Sequence, residues 1–488
     1  MKGWELILVL NKSVEKQDKM ILTTLEKLMP EDHFLRDLEN TIDFSFIYEK
    51  VESLYSHTGR PSVDPVVLIK MLLLGFLYGI DSERKIEKEA EINIAFHWFL
   101  GIDLDERVPD HSTISQTRRR KFKDTNIFEE IFDEVVKRCI DTGLVDGKLI
   151  LTDSTHIKAN ASIKRKETVT VTVEPRAYMK KLEEYANEED LRLRADAIAQ
   201  GKGKRGRKPS EAPKTKTIEL STTDPESGIL NRPGKPGGFH YLNHQSVDGK
   251  NGIITDVYVT AANINDFEPY VGRIKYQKEK YGLEIKEVGI DKGYDYTEVH
   301  KELYDMSIQT YTPIQDTEKA TKDKVYGPSD FKYDDDKNAF ICPAGRELKY
   351  SSISKSNMAK VYRASQKHCK NCPCISKCIG GKAKVRTVEV ALFKEEADLQ
   401  RSLYGTKRYY EVQRLRKIYC EGNFAIQKEN YNLRRTRKRG IANVTEHCLL
   451  SAIALNMKRL VRFVKSQPKQ PVSGAVQVFY ILKRVFGV

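Results

Sequence analysis

Lys148-Leu149-Ile150-Leu151-Thr152-Asp153-Ser154-Thr155-His156-Ile157-Lys158-Ala159-Asn160 is the stretch on which the fold turns. Residues 149–152 are apolar or β-branched and read as a short buried strand ending at Asp153. Before this point the pattern is helical. After it come β-rich segments at 239–247 and 253–260, on either side of the turn Asp248-Gly249-Lys250-Asn251-Gly252, which predicts a hairpin. A helix is expected near 266–280. A second apolar strand, 284–290, ends at Asp291 before Lys292-Gly293-Tyr294, and 308–311 reads as a further strand. Strand, hairpin, helix, strand, helix, strand in this order predict a mixed α/β sheet domain.

Asp153 and Asp291 share one setting, each closing an apolar strand just before a polar turn. Ligand sites of α/β sheets lie at such strand ends. An Asp after a strand also makes an ordinary turn. Two carboxylates brought together by neighbouring strands repel unless a cation neutralises them, and hard oxygen ligands suit Mg²⁺. A third carboxylate is expected from a helix crossing the sheet. At 100° per residue Arg414, Lys417, Glu421 and Lys428 share one helical stripe, so one acid stands among bases on a single face. A solvated ion-pair helix has the same pattern, and Glu411 and Glu429 are competing acids.

The flanking regions differ in character. Residues 21–60 show helical, acidic amphipathic spacing, and 66–78 form an apolar helix opened by Pro65. Charged (82–91) and apolar (92–100) helices follow. Pro109-Asp110-His111-Ser112-Thr113-Ile114-Ser115 precedes Gln116 and the basic run Arg118-Arg119-Arg120-Lys121. A capped basic helix behind a short turn is a helix-turn-helix candidate for DNA contact, or else a capped surface helix. Residues 175–200 read as a long charged helix, and 202–208 hold five basic residues. The Arg205-Gly206-Arg207 core of that run has the form of a minor-groove hook or of a solvated basic linker.

Lys148–Ser162, Ser221–Asp266, Val288–Tyr296 and Arg414–Gly440 together resemble the DDE transposases of bacterial insertion sequences. Residues 59–121 resemble the N-terminal helical domain of the same family. The likeness covers the chain from about Ile21 to Lys458, and its most specific parts are Asp153-Ser154-Thr155-His156-Ile157-Lys158-Ala159-Asn160-Ala161 with Asp291-Lys292-Gly293-Tyr294. The resemblance implies an RNase H-like (retroviral-integrase-like) catalytic core behind an all-α N-terminal domain. In that core Asp153, Asp291 and Glu421 hold two Mg²⁺ or Mn²⁺ ions for in-line phosphoryl transfer. It also implies double-stranded DNA as partner (terminal inverted repeats and target), a homodimeric synaptic complex and a bacterial, nucleoid-associated location. Many relatives place a Tyr, an Arg, the Glu and a Lys at set helical spacing. Here Lys428 fits the last position, Lys417 stands at the Arg position and Arg414 at the Tyr position.

Between Asp291 and Glu421 lie 129 residues, more than a compact core needs, and 37 of them (342–378) hold five cysteines. Cys369 and Cys372 form a knuckle that Cys342 and Cys378 complete as a Cys₄ site for one structural Zn²⁺, a small zinc-ribbon-like insert. Cys374 and His368 are alternative ligands, and free thiols the alternative state. Cys139, Cys420 and Cys448 read as structural. Residues 407–439 carry 11 basic and three acidic side chains, densest at Arg434-Arg435-Thr436-Arg437-Lys438-Arg439. Backbone binding of DNA by Arg434, Arg435 and Arg437 is expected there, and 442–464 reads as an apolar helix packed on the sheet.

The expected division is an extension (1–20), a helical DNA-binding domain (21–145), a first part of the core (146–330, with a helical and basic insert at 163–217), the cysteine-rich insert (331–395), a second part bearing the Glu421 helix (396–465) and a tail (466–488). The 488 residues carry 83 Lys and Arg against 69 Asp and Glu, a net charge of +14, with a mean hydropathy of −0.54. That excludes a membrane protein and a wholly disordered chain, and directs attention to polyanionic partners. The longest nearly apolar run, 66–80, holds Lys70 and falls short of the roughly 20 residues of a spanning helix. The start has no cleavage site of a secretory signal, so a cytoplasmic protein is expected. A DNA-binding regulator without catalysis and a stand-alone nuclease are the competing functions.

Overall fold

The structure is a computed structural model that describes residues 22–55, 58, 62–123, 125–172, 177–199, 215–231, 237–314, 326–355, 357–379 and 383–467. The expected extension 1–20, Arg205 and Arg207, and most of the expected tail lie outside the described residues. Eight helices come first among them: α1 (Leu25–Leu28), α2 (Phe34–Thr41), α3 (Phe46–Val51), α4 (Pro65–Leu77), α5 (Glu83–Ile92), α6 (Ile94–Leu100), α7 (His111–Thr117) and α8 (Ile127–Asp141). Their boundaries follow local chemistry. Asp64 accepts from the Val66 amide and Pro65 occupies the first turn of α4, where a missing N–H costs nothing. Asn93 caps α6, and Gly101 closes it at φ +70°. The α4 helix is buried nearly all round, including Lys70, whose ammonium is held by Glu39 and the Phe99 carbonyl at 2.9 Å.

The sheet domain follows. Strand β1 (Leu149–Lys158) pairs antiparallel with β5 (Gly238–Asp248) on one side. On its other side it pairs parallel with β7 (Glu287–Gly289), which pairs parallel with β8 (Gln309–Tyr311). Strand β5 also carries β4 (Gly228–Leu230) and β6 (Ile254–Ala261) along its far edge. Between β1 and β4 an excursion forms a two-stranded ribbon, β2 (Lys166–Thr172) with β3 (Thr215–Ser221), around α9 (Ala177–Ala199). Helices α10 (Phe267–Tyr281) and α11 (Thr297–Asp305) link β6, β7 and β8.

A separate five-stranded antiparallel sheet comes next: β9 (Lys332–Asp334), β10 (Ala339–Ile341), β11 (Glu347–Ser354), β12 (Ala359–Ala364) and β13 (Thr387–Ala391). Short helices α12 (Gln366–Lys370) and α13 (Ile375–Cys378) sit between its last two strands. It has its own apolar cluster, Phe331, Leu348, Tyr362, Ala364, Cys369, Cys378 and Val388. The chain then returns through α14 (Lys394–Arg401), α15 (Lys407–Arg416), a π-helical turn (Lys417–Glu421), α16 (Gly422–Asn430) and α17 (Ile441–Ser466).

One apolar core runs without a break from the N-terminal helices through the sheet to α17. Helix α17 is its spine. The Asn456 side chain bonds both the amide and the carbonyl of Ile254 in β6, at 3.0 and 2.8 Å. Among the described residues no helix is long and apolar enough to cross a membrane.

Two expectations about the sheet need correction. Asp153 does not end a strand: β1 runs on for five more residues because β5 accompanies it as far as the Lys158–His240 pair. The Glu421 segment is not one regular α-helix, since the π turn inserts a residue into its register.

Buried His447 lies beneath Tyr431 and Thr436 and beside the Phe76 ring. Burial, helped by the nearby Lys438 charge, pushes its pKa down from 6.5 to about 4. The unfolded chain therefore binds a proton that the folded one rejects between these values, so this residue makes stability fall as pH drops from about 6.5 toward 4. His447→Leu should flatten that limb in denaturant unfolding measured across the interval. Packing gives a second expectation. A Cβ at Gly289 would stand 2.5 Å from Val412 Cγ1 and 2.8 Å from Leu151 Cδ2, whereas Gly272 on α10 has nothing within 4 Å. Gly289→Val should cost about 1–3 kcal/mol, and Gly272→Ala should gain up to about 1 kcal/mol, both read from the denaturant midpoint at unchanged slope.

Candidate active site

The parallel pairing of β1 with β7 matches Ile150 with Val288 and Leu151 with Gly289. Two residues further along each chain stand Asp153 and Asp291. Strand β7 stops at Gly289, and Asp291 then opens a single 3₁₀ turn, Lys292–Tyr294. Glu421 comes from the end of the π turn that lies across these strand ends.

The three acids meet at Arg416. Its Nη1 donates to Asp153 Oδ2 at 2.7 Å, and its Nη2 lies 3.6 Å from both Asp291 Oδ1 and Glu421 Oε1. The Arg416 side chain is only 8% exposed, against 50% for the Asp291 side chain and 55% for that of Glu421. Arg416 Nε donates to Gln413 Oε1 at 3.2 Å. The Gln413 amide in turn donates to the carbonyls of Ile290 and Tyr311, at 3.1 and 2.8 Å. One carboxamide thus ties the helix to the ends of β7 and β8 and aims the guanidinium at the acids.

Asp153 lies deepest. Its other oxygen, Oδ1, accepts from the Ser154 amide at 2.8 Å. Burial raises its pKa to about 6, opposed by the Arg416 charge and reinforced by Asp291 and Glu421. Cross-strand partners in an antiparallel pair share a face, so Gln245, opposite Asp153, and Asn243, opposite Thr155, line the same floor. Both are fully buried, and neither carboxamide has a hydrogen-bond partner among the described residues. On the opposite face the Ser154 hydroxyl donates to Asp266 at 2.8 Å.

The expected helical stripe is revised by the π turn. Over five residues that turn brings Arg416 and Glu421 to one side, so Arg416 meets the acids, while Arg414 and Lys417 are exposed. Lys428 does approach the floor, donating through Nζ to Thr155 Oγ1. Sequence reasoning missed Arg416 and Gln413 because a π turn has no composition of its own; only the extra residue between a basic side chain and Glu421 hints at it.

The basic runs divide in a similar way. Arg118 is not free to meet a ligand: it is paired with Glu83 of α5 and Glu446 of α17, and pins the N-terminal helices to the core. It sits not in the first turn of a recognition helix but in a π-helical turn closing α7. Lys121 lies over the Tyr55 ring at 3.3 Å. Arg119 and Arg120 are exposed. In the later run Lys438 is paired with Glu446, Arg437 with Asp81 at 2.8 Å and Arg434 with Glu429, while Arg435 bridges alongside Lys158 at the end of β1.

In the insert Cys342, Cys369, Cys372 and Cys378 line one cavity of about 30 Å³ together with His368 and Arg386. Burial pushes the Cys378 thiol up, and the other three sulfurs add to the effect against Arg386. Cys342 Sγ accepts from the Arg346 amide at 3.3 Å. Cys374 does not line this cavity and faces Tyr326 instead. Among the described residues, the group whose ligand atoms all fall within 4.8 Å of one another is Glu87, Asp110 and His111. Its atoms are engaged within the protein: Glu87 takes the His111 amide and ring, Asp110 caps the Ser112 amide, and Arg84 donates to His111 Nε2. It acts as a latch between α5 and α7.

Comparison with known proteins gives two matches to protein families. Residues 23–120 match the family described as Transposase domain (DUF772), and residues 341–461 match Transposase DDE domain. No curated protein matches the chain in sequence. Solved structures that match include the Mos1 transposase paired-end complex with left transposon end, at 8% identity and TM-score 0.16, covering 52% of this chain and 60% of that one. Another is the piggyBac transposase synaptic complex with hairpin DNA, at 9% identity and TM-score 0.24, covering 92% and 82%. The chain thus spans about 60% of the Mos1 chain. The chain carries a transposase domain over its N-terminal helices and a transposase DDE domain over the segment that delivers Glu421.

Proposed function

We propose that this transposase binds the terminal inverted repeats of its own insertion sequence, and cuts and rejoins DNA at the centre formed by Asp153, Asp291 and Glu421. The observation that carries the reading is the convergence of three carboxylates, from β1, from the end of β7 and from the helix across them, on one guanidinium. Hard oxygen donors gathered from three elements fit Mg²⁺ or Mn²⁺, and a positive group already rests among them. Two such cations, when bound, supply the charge that activates water or a 3′-OH and stabilises the leaving oxygen.

The chain's own residues do the rest. Asp153, buried and braced by the Ser154 amide, fixes the deep side of the centre, while Asp291 and Glu421 face the open side. Lys428 on Thr155, with exposed Arg414, Lys417, Arg119, Arg120 and Arg435, offers contacts to the DNA backbone. The sheet order β6-β5-β1-β7-β8, with β7 and β8 parallel to β1, supports the RNase H-like reading. The five-stranded insert would hold one Zn²⁺ on Cys342, Cys369, Cys372 and Cys378. The domain limits given above, the homodimeric synapse and action on nucleoid DNA in the cytoplasm belong to the same proposal.

Asp153→Asn, Asp291→Asn and Glu421→Gln should each abolish strand cleavage in Mg²⁺ while a gel-shift assay still shows binding of a terminal-repeat duplex. Full cleavage by Asp291→Asn would remove that residue from the centre, and cleavage without joining of pre-cut ends would leave a nuclease. Elemental analysis of protein purified without chelator should find one zinc per chain, and zinc far below one equivalent counts against the cysteine site.

A further inference from the structure

Resting on the reading of Asp153, Asp291 and Glu421 as a cation site, we propose that Arg416 is a tethered counter-ion. It holds the acids together before metal arrives and must leave Asp153 for a cation to bind there, so that cation binding and DNA binding strengthen each other through it.

The geometry sets the two occupants in competition. Both oxygens of Asp153 are engaged, Oδ2 by Arg416 Nη1 at 2.7 Å and Oδ1 by the Ser154 amide at 2.8 Å. The backbone amide cannot withdraw without breaking the strand, so Oδ1 keeps one lone pair engaged, and a cation that takes Oδ2 competes directly with the Arg416 charge. Asp291 and Glu421 are half exposed and stand 3.6 Å from the guanidinium, at ion-pair distance but beyond a good hydrogen bond. These two acids are open to a cation from solvent, and Asp153 is not.

The guanidinium is also held on a tether rather than locked. Its Nε rests on Gln413, whose amide is fixed to Ile290 and Tyr311. Rotation of the outer side-chain torsions carries Nη1 and Nη2 away from the acids while the helix stays put. A displaced guanidinium at the mouth of an acidic centre needs an anion, and a DNA phosphate offers the bidentate partner that suits it. A phosphate that draws Arg416 off Asp153 leaves three uncompensated carboxylates, which favours the cation. By linkage the cation favours the phosphate to the same degree. The π turn supports the assignment, because it sets Arg416 and Glu421 on one side where regular helical spacing would present Lys417.

The test is Mn²⁺ binding to the full chain, followed by the electron paramagnetic resonance signal of free Mn²⁺, with and without a duplex of unrelated sequence. Without DNA, Arg416→Gln should bind Mn²⁺ about tenfold more tightly than the unaltered chain. Gln413→Leu, which loosens the tether and touches no carboxylate, should shift affinity in the same direction by less. The duplex should tighten Mn²⁺ binding by the unaltered chain and leave Arg416→Gln nearly unchanged. Equal affinities of the unaltered chain and Arg416→Gln without DNA would overturn the inference, as would equal tightening of both by the duplex. Asp153→Asn and Glu421→Gln separate the two levels. If they bind Mn²⁺ as well as the unaltered chain, the cation-site reading falls and this inference with it. If they lose it while Arg416→Gln matches the unaltered chain, only the role of Arg416 falls.

Discussion

The parallel pairing of β1 with β7 is the constraint on which the rest of the centre depends. Two matched pairs, Ile150 with Val288 and Leu151 with Gly289, carry both chains forward in step, so that Asp153 and Asp291 emerge side by side. A slip of one residue would turn one of the acids to the other face of the sheet. The bare Cα of Gly289 lets Val412 of α15 press directly on that pairing. Gln413, the next residue, takes the carbonyls at the ends of β7 and β8. Sheet register and helix position are thereby one variable, and the π turn converts that position into a common focus for Arg416 and Glu421.

The charge surplus looks different once its members have addresses. Several of the densest basic residues are engaged within the molecule: Arg118 and Lys438 share Glu446, Arg408 holds Glu287, Arg437 reaches Asp81 and Arg416 serves the acids. These join the N-terminal helices, the sheet and the last helices into one body. The cations left at the surface include Arg119, Arg120, Arg414, Lys417 and Arg435, a sparser set than the sequence suggests. Counting charges along a chain overstates a phosphate-binding face wherever the same charges also hold elements together.

Much of the sheet was legible because its signals are local. The hairpin of β5 and β6 follows from β-branched runs around Asp248-Gly249, and the Asp153 and Asp291 motifs stand at apolar runs that read as strands, while their adjacency comes from the parallel pairing of β1 with β7. The true length of β1 was not legible. Residues 153–158 are polar apart from Ile157 and look like a turn, yet they extend because β5 supplies a partner for each of them. The register of the Glu421 helix was not legible either, since one inserted residue shifts every later side chain by about 100° and leaves no mark in composition. The role expected of Arg118 failed for a related reason: its partner Glu446 lies 328 positions away. What sequence spacing conveys is contact within an element; which basic residue meets which acid is decided by packing between elements.

The five-stranded insert, finally, stands between the second and third acids of the centre. During synthesis the chain leaves the ribosome from its N-terminal end, and β1, β5 and β7 can pair long before α15 exists. Until residues 407–466 have emerged, the sheet lacks the helix bearing Glu421 and the α17 spine against which the core closes. A nascent or truncated chain therefore carries two of the three acids without the guanidinium that gathers them, and on the proposed function strand cleavage would arise only after the whole insert has been made.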